Sequence, residues 1–277
     1  MSAASILYEA AAFAGKGWSV PAFEALELAV RAGRYAILIP VLNEGDRIQT
    51  QLRRMHQLQL SKWADIIVVD GGSTDGSLAP AFLADVQVRA ILTKIGPGRL
   101  SAQLRCGYAW ALLQGYDGIL TIDGNGKDGV ETVPDFVEAL DAGFGYVQAS
   151  RFIAGGHSEN TPLPRYLAIR LIHAPVLSLA AGQWLTDTTQ GYRAYSATYL
   201  TDPRVQPFRA VFDRYELLAY LTVRASQLGY RVKEIPTSRV YPANEAVPTK
   251  INGIKALADL LLVVIKTLFG AYNPKHG

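Results

Sequence analysis

The chain has 277 residues, 49% of them hydrophobic, with one cysteine and a formal net charge of +3. That length fits one large α/β domain or one domain with an appendage, and the apolar content supports a sizeable core. A mildly basic balance with no dense Lys/Arg stripe and no nucleic-acid motif argues against nucleic acid while permitting an anionic substrate or a membrane surface, and the lone Cys106 cannot close an internal disulfide, which suits a reducing compartment.

Residues 1–34 read as an N-terminal helical segment. Its mildly apolar start, Ser2–Ala14, has no basic residue before it, which argues against a signal peptide. Tyr35–Leu42 is a continuous apolar run consistent with a buried strand, and Ile48–Leu60 follows with helical spacing at Ile48, Leu52 and Met55. Ala64–Asp70 and Val86–Ile95 read as the second and third strands, and Arg99–Leu113 as a helix in which Cys106 is a packing residue. Gly118–Asp123 is the fourth strand, Val133–Ala142 a helix and Phe144–Ser150 a fifth strand. Strands alternating with helices of these lengths imply a mainly parallel sheet covered on both faces.

In such sheets ligands bind beyond the C-terminal ends of the strands, and the distinctive residues fall there. They are Pro40, Asn43 and Glu44 after the first strand, Asp70, Gly72, Ser73 and Asp75 after the second, Asp123–Asp128 after the fourth, and Arg151 after the fifth. The segment Asp123-Gly124-Asn125-Gly-Lys127-Asp128 brings two carboxylates, an amide and an ammonium into one glycine-rich turn, a place to hold a diphosphate with or without a metal; an ordinary β-turn uses the same residue types. Gly98 and Arg99 open the helix Arg99–Leu113, whose free N–H groups suit a diphosphate; a plain strand-to-helix turn uses the same residues. Beyond residue 150 the alternation weakens: Tyr166–Ala181 and Asp213–Leu228 read as helices and Tyr230–Val240 as a strand.

The ordered set Pro40-Val-Leu-Asn-Glu44, Val68-Val-Asp70-Gly-Gly-Ser-Thr-Asp75, Asp123-Gly-Asn, Ala149-Ser-Arg-Phe152 and Asp187-Thr-Thr-Gln-Gly-Tyr-Arg193 resembles the family 2 glycosyltransferases, nearest to the dolichyl- or polyprenyl-phosphate sugar transferase branch. The resemblance spans roughly residues 35–240. It implies a GT-A fold, acceptor-side helices, a UDP- or GDP-linked sugar donor, a polyprenyl-phosphate or lipid-linked glycan acceptor, and inversion at the anomeric carbon. It implies donor binding by Pro40, Asn43, Glu44, Asp70, Gly72, Ser73, Asp75, Gly98, Arg99, Asp123, Gly124, Asn125, Lys127 and Arg151. It also implies Asp123, Asp187, Arg193 and Arg239 as catalytic residues and Mg²⁺ or Mn²⁺ at Asp123, Asn125 and Asp128. The domain limits that follow are 35–240 for the transferase and 241–277 for a C-terminal loop and amphipathic helix.

One departure matters. The family's Asp-x-Asp is Asp123-Gly-Asn125 here, and the branch's Gln two residues further on is Lys127. An amide is a weaker ligand than a carboxylate and an ammonium repels a cation. Either Asp128 supplies the missing charge and the metal is kept, or Lys127 takes part of the metal's place. A non-catalytic nucleotide-binding relative is a further reading; a nicotinamide-dependent oxidoreductase, suggested by Gly96-Pro-Gly98, lacks the third glycine and the acidic partner.

On the acceptor side Arg165, Arg193, Arg239 and Lys250 are candidates for an acceptor phosphate. His157 is an outlying candidate there, and His56 and His173 have no metal-like spacing. A polysaccharide hydroxyl as acceptor needs a carboxylate base, for which Asp187, Asp213 and Glu216 are available; a lipid phosphate, already anionic, needs none. A helix N-cap also suits Asp187, but that reading explains none of the residues that follow it. Ile254–Phe269 is strongly apolar, with Lys255, Asp259 and Lys266 within a sector of about 40°. It is shorter than the ~20 residues that span a bilayer, so it is either docked on the core or lies in the plane of a membrane. The expected location is cytoplasmic, at the inner face of the membrane.

Overall fold

The run Tyr35–Val41 is apolar on both sides of its pleat, the pattern of a strand buried on both faces. In the computed structural model, which describes residues 5–242 and 253–274, it lies at the centre of a nine-stranded sheet. The elements, in chain order, are β1 (Ser5–Tyr8), β2 (Phe23–Glu27), β3 (Tyr35–Val41), α1 (Asp46–Gln57), β4 (Asp65–Asp70), α2 (Pro80–Asp85), β5 (Val88–Lys94), α3 (Leu100–Leu113) and β6 (Gly118–Thr121). They continue with α4 (Val133–Asp141), β7 (Tyr146–Ser150), β8 (His157–Glu159), α5 (Leu163–Ala168), α6 (Ala174–Ala181), β9 (Arg193–Ser196), α7 (Ala197–Thr201), α8 (Glu216–Gln227), β10 (Val232–Pro236), β11 (Ser238–Val240) and α9 (Gly253–Leu268).

The sheet order is β1-β2-β5-β4-β3-β6-β9-β7-β10, and β5, β4, β3 and β6 run parallel, as the strand–helix alternation requires. Alternate residues of β3 feed opposite cores. Ala36 and Leu38 pack with Tyr108, Trp110 and Tyr199 on one face, and Ile37 and Ile39 with Ile48, Leu83 and Phe136 on the other. β9 is antiparallel to both β6 and β7.

Two expectations are corrected. Within 5–34, the described part of the segment expected to be helical, β1 and β2 instead add two antiparallel strands beyond β5, joined by a single 3₁₀ stretch, Ala10–Lys16. Phe13 and Phe23 are fully buried there and Tyr8 stacks on Phe23, so an aromatic cluster at the sheet edge holds the chain extended. The strand predicted over Tyr230–Val240 is two strands. β10 pairs with β7 in the main sheet, and after Pro236 the chain turns so that β11 pairs with β8. The helix predicted over Tyr166–Ala181 is present as α5 and α6, joined through a π-helical turn at Ile169–His173. α9 packs on α6 and α8 through Val264, which joins Leu177, Ala181 and Val223. Lys250 and the loop Val247–Ile251 lie outside the described residues.

Candidate functional site

Strand register brings the predicted residues together. Val41 is level with Asp70 and Asp70 with Thr93. Thr121 is level with Leu38, so two residues later Asp123 emerges beside the exit of β3. Gly124 makes this approach possible: a Cβ there would stand 3.1 Å from the carbonyl oxygen of Pro40. Gln103 of α3, which sequence reasoning missed, donates from Nε2 to the carbonyls of Val41 (2.9 Å) and Val69 and ties the two strand exits together.

The loops after β3 and β4 brace each other. The backbone N–H of Asn43 donates to Ser73 Oγ (3.0 Å), the N–H of Thr74 donates to Asn43 Oδ1 (2.8 Å), and the N–H of Gly45 donates to Asp75 Oδ2 (2.8 Å). Beneath them the buried Asp70 accepts from the N–H and hydroxyl of Ser73, the hydroxyl at 2.6 Å. The Ser77 hydroxyl, ahead of burial, lowers the pKa of the Asp75 carboxyl from its ordinary value. These two loops form a preorganised rim at the C-terminal edge of the sheet, on the side where a nucleoside would lie.

Next to that rim is a charge cluster that the sequence does not foretell in this form. Arg239 bridges the two carboxylates: Nη1 donates to Asp128 Oδ1 (2.5 Å) and Nη2 to Asp123 Oδ2 (3.2 Å). Asp128 is wholly buried, Gln190 Nε2 donates to the same Oδ1 (2.8 Å), and Asp128 Oδ2 has no hydrogen-bond partner. Burial raises the Asp128 carboxyl's pKa and the Arg239 charge opposes that shift. The bend between β10 and β11 creates the contact, because Gly129 N–H donates to Ser238 O and Val240 N–H to Lys127 O, lacing β11 to the turn after β6. The amide of Asn125 is turned the wrong way for a ligand, with Nδ2 on Asp123 Oδ2 (3.4 Å) and Oδ1 accepting from the Lys127 N–H (3.3 Å).

The set Asp123, Asn125 and Asp128, expected from the sequence to hold Mg²⁺ or Mn²⁺, therefore does not fit a divalent cation. Both carboxylates are already bound to a guanidinium, the amide oxygen is engaged, and the Lys127 ammonium stands close by over the Tyr241 ring. Among the described residues no group of three or more His, Cys, Asp or Glu side chains is arranged to hold a metal ion.

Arg151, leaving β7, is also buried. Its Nε donates to Asp187 Oδ2 (2.6 Å) and its Nη2 to Asp187 Oδ1 (3.0 Å), a bidentate pair, while Nη1 has no partner. Burial raises the Asp187 pKa, but hydrogen bonds and charge from Arg151 outweigh it, so the carboxylate titrates below its usual range. Asp187, expected as a catalytic base, is instead a sealed carboxylate with both oxygens taken. Glu234, reaching over from β10, accepts from the N–H groups of Thr186 (2.9 Å) and Asp187 (3.2 Å) and fixes the segment. Of the other base candidates, Glu216 accepts from the backbone of Asp213 (3.1 Å) and Arg214 (2.7 Å) and so fixes the turn that leads into α8.

Tyr241 gathers the cations. Lys127 Nζ, Arg165 and Arg239 lie 5.2, 5.7 and 5.8 Å from its ring centroid. Burial raises its phenol pKa, but Arg239, Arg165 and Arg151 together outweigh that and lower it. Burial, then Arg239, lower the Lys127 ammonium.

Two further expectations fail. Arg193 is a core residue: its guanidinium donates to the carbonyls of Gln190 (2.9 Å), Leu218 (2.6 Å) and Thr188 (3.0 Å), joining β9 to α8 with no face toward a ligand. Gly98 and Arg99 do not open a free helix N-terminus. The N–H groups of Arg99 and Ser101 are taken by the carbonyls of Asp213 (3.0 Å) and Arg214 (2.8 Å). His157 is exposed on β8 beside Glu159, and its backbone lies level with Ser238, one residue before Arg239. Cys106 is buried in α3, as expected of a packing residue. Sequence reasoning missed Gln190, Gln51 and Tyr241. Gln51 accepts from the Gly126 N–H (2.9 Å) and shapes the turn, and it was concealed as one polar residue on an amphipathic helix. Gln190 lies inside a motif already singled out, whereas nothing in the sequence marks Tyr241.

Residues 36–202 match the model of glycosyl transferase family 2. Among curated proteins, an undecaprenyl-phosphate mannosyltransferase of Micrococcus luteus is 30% identical over 79% of this chain and 88% of its own. A polyprenol monophosphomannose synthase of Mycolicibacterium smegmatis is 28% identical over 79% of this chain and 82% of its own. Among solved structures, glucosyl-3-phosphoglycerate synthase from Mycobacterium tuberculosis, crystallised with Mn²⁺, UDP and phosphoglyceric acid, superposes with a TM-score of 0.60 at 17% identity, covering 89% of this chain and 81% of that one. The GT-A fold is thereby shared.

Proposed function

The chain belongs to glycosyl transferase family 2, and from that premise we propose that it transfers a sugar, mannose as the first case to test, from a nucleoside diphosphate to a polyprenyl phosphate, with inversion at the anomeric carbon. Its named relatives act on polyprenol and undecaprenyl phosphates. The observation that carries the acceptor class is the cluster of Lys127, Arg151, Arg165 and Arg239 around Tyr241, next to a carboxylate, Asp187, that is locked away from proton transfer. A phosphate acceptor is attracted by such a cluster and needs no base. A sugar hydroxyl gains nothing from it and would lack the base that Asp187 was expected to supply.

In this reading Asn43, Glu44, Asp70, Ser73 and Asp75 form the nucleoside side. Asp123 and Gly124 mark where donor and acceptor meet, and Arg151, with its unpartnered Nη1, reaches the acceptor phosphate. The acceptor's lipid tail calls for a membrane surface. No described helix is long and apolar enough to cross a membrane, but Leu262 and Ile265 of α9, Phe269 just after it, and Leu163, Leu167 and Leu171 around α5 are exposed. These residues seat the protein on the bilayer, which is where we place its work in the cell. The test is incubation with radiolabelled GDP-mannose, UDP-mannose or UDP-glucose and a polyprenyl phosphate, followed by extraction of labelled lipid. Label recovered as a mild-acid-labile polyprenyl phosphosugar is the expected result; label on added glycan instead would reject the phosphate acceptor.

A further inference from the structure

We propose that this chain carries its own replacement for the divalent cation, with Lys127 and Arg239 together balancing the charge of the departing nucleoside diphosphate. The inference rests on the transferase reading above and concerns how the same site handles charge. Arg239 occupies the position between the two carboxylates that a shared cation would take, with one nitrogen on Asp128 and one on Asp123. Its side chain is 6% exposed and its backbone is tied to Asp128 by a β-bridge. A cation entering there would have to expel a buried guanidinium from both of its partners.

Lys127 stands where the branch has Gln. It is 6% exposed, and among the described residues no carboxylate lies within ion-pair distance of its ammonium. Two carboxylates thus face two fixed cations. Adding a dication would leave two uncompensated positive charges within a few ångströms of Lys127 and Arg239, whereas adding an anionic diphosphate is favourable. Asn125, at the position of a family ligand, has committed its amide oxygen to the Lys127 backbone and so orders the turn. The two departures act with Arg239 as one substitution of means: the ligand is lost, and cationic side chains stand in place of the ion.

During transfer an oxygen of the acceptor phosphate forms its bond to the anomeric carbon as the bond from that carbon to the β-phosphate oxygen breaks. The electron pair stays on the nucleoside diphosphate and no proton changes hands. Lys127 and Arg239 meet the extra negative charge, as fixed cations do in other phosphoryl and glycosyl leaving-group sites.

Calorimetric titration of the purified protein with GDP and UDP, in excess EDTA and again in Mn²⁺, tests this apart from acceptor chemistry. Affinity within about threefold between the two conditions is expected. Binding tighter in Mn²⁺ by about tenfold or more would overturn the inference and leave the transferase reading intact. Binding of neither nucleotide in either condition would overturn both. Lys127→Met is expected to weaken the nucleotide about tenfold in EDTA, with Lys127→Arg restoring most of it. Wild-type affinity in a folded Lys127→Met would overturn the role of the ammonium. The double change Asn125→Asp with Lys127→Gln, which restores the branch's donor types, is expected to make binding depend on Mn²⁺.

Discussion

Gly191 lies directly against the carboxylate of Asp123: a Cβ added there would overlap Oδ1 and stand 2.7 Å from Cγ. The glycine that begins the stretch leading into β9 thus sets the position of the acid at the end of β6. Gly191→Ala is expected to turn Asp123 away from Arg239 and to cost about 10²-fold in kcat, the usual scale for a misplacement of about 1 Å. The fold should survive, since the clash is with a partly exposed side chain. Transfer rate and melting temperature measured on the same preparation check this. Unaltered kcat would mean that the placement of Asp123 is not critical.

The Arg151–Asp187 pair predicts an asymmetry. Arg151→Ala leaves a fully buried carboxylate without its cation, a situation that costs about 3–5 kcal/mol. At about 2–4 °C per kcal/mol for a chain of this size, the melting temperature should fall by roughly 10 °C. Replacing both partners, Arg151→Met with Asp187→Leu, should recover much of that stability while leaving the acceptor KM raised. If the double variant regained activity as well, Arg151 would be a structural brace without an acceptor role.

The parallel sheet, the strand exits and the residues after them were legible because each rests on a local signal: an apolar run of strand length, then Gly, Asp or Asn. What was illegible depends on contacts between distant segments. Arg193 and Arg239 are both arginines near strands, and nothing local separates the one that donates to core carbonyls from the one that bridges Asp123 and Asp128. The bend after Pro236 decides it, and a bend is a consequence of which strand each half pairs with. The helix start at Gly98–Arg99 misled for the same reason. Its N–H groups looked free until the chain at Asp213–Arg214, more than a hundred residues later, supplied the carbonyls. The segment 1–34 misled because Phe13 and Phe23 find their partners at the edge of a sheet formed by later residues.

His173 makes stability depend on pH. Its Nδ1 lies 2.6 Å from Thr188 Oγ1, and burial first, then Arg193, lower its pKa to about 4, while Asp187 opposes the shift. Unfolded, it titrates near 6.5. Between those values the unfolded chain binds more protons, so stability falls as pH drops from about 6.5 to about 4 and levels off below, by at most about 3 kcal/mol. His173→Gln keeps a hydrogen-bonding group without the titration and should flatten the profile over that window. Melting curves of both proteins from neutral to acid pH measure it, and parallel profiles would remove His173 as the cause.

The apolar exposure on α9 and around α5 leads to the last prediction. Phe269 is 80% exposed, Leu171 69% and Leu163 65%, large values for side chains of this kind. Of the charges on α9, Asp259 pairs with Arg214 (3.2 Å). Burying one such side chain in the acyl boundary is worth about 1.5–3 kcal/mol, so Phe269→Glu or Leu171→Glu should weaken binding to anionic vesicles about tenfold or more. These residues are not part of the charge cluster. Transfer to a short, water-soluble isoprenyl phosphate should therefore stay near wild type while transfer to a long-chain polyprenyl phosphate in vesicles falls. Equal loss with both acceptors would point to a damaged fold, and unchanged vesicle flotation would show that these side chains do not meet the bilayer.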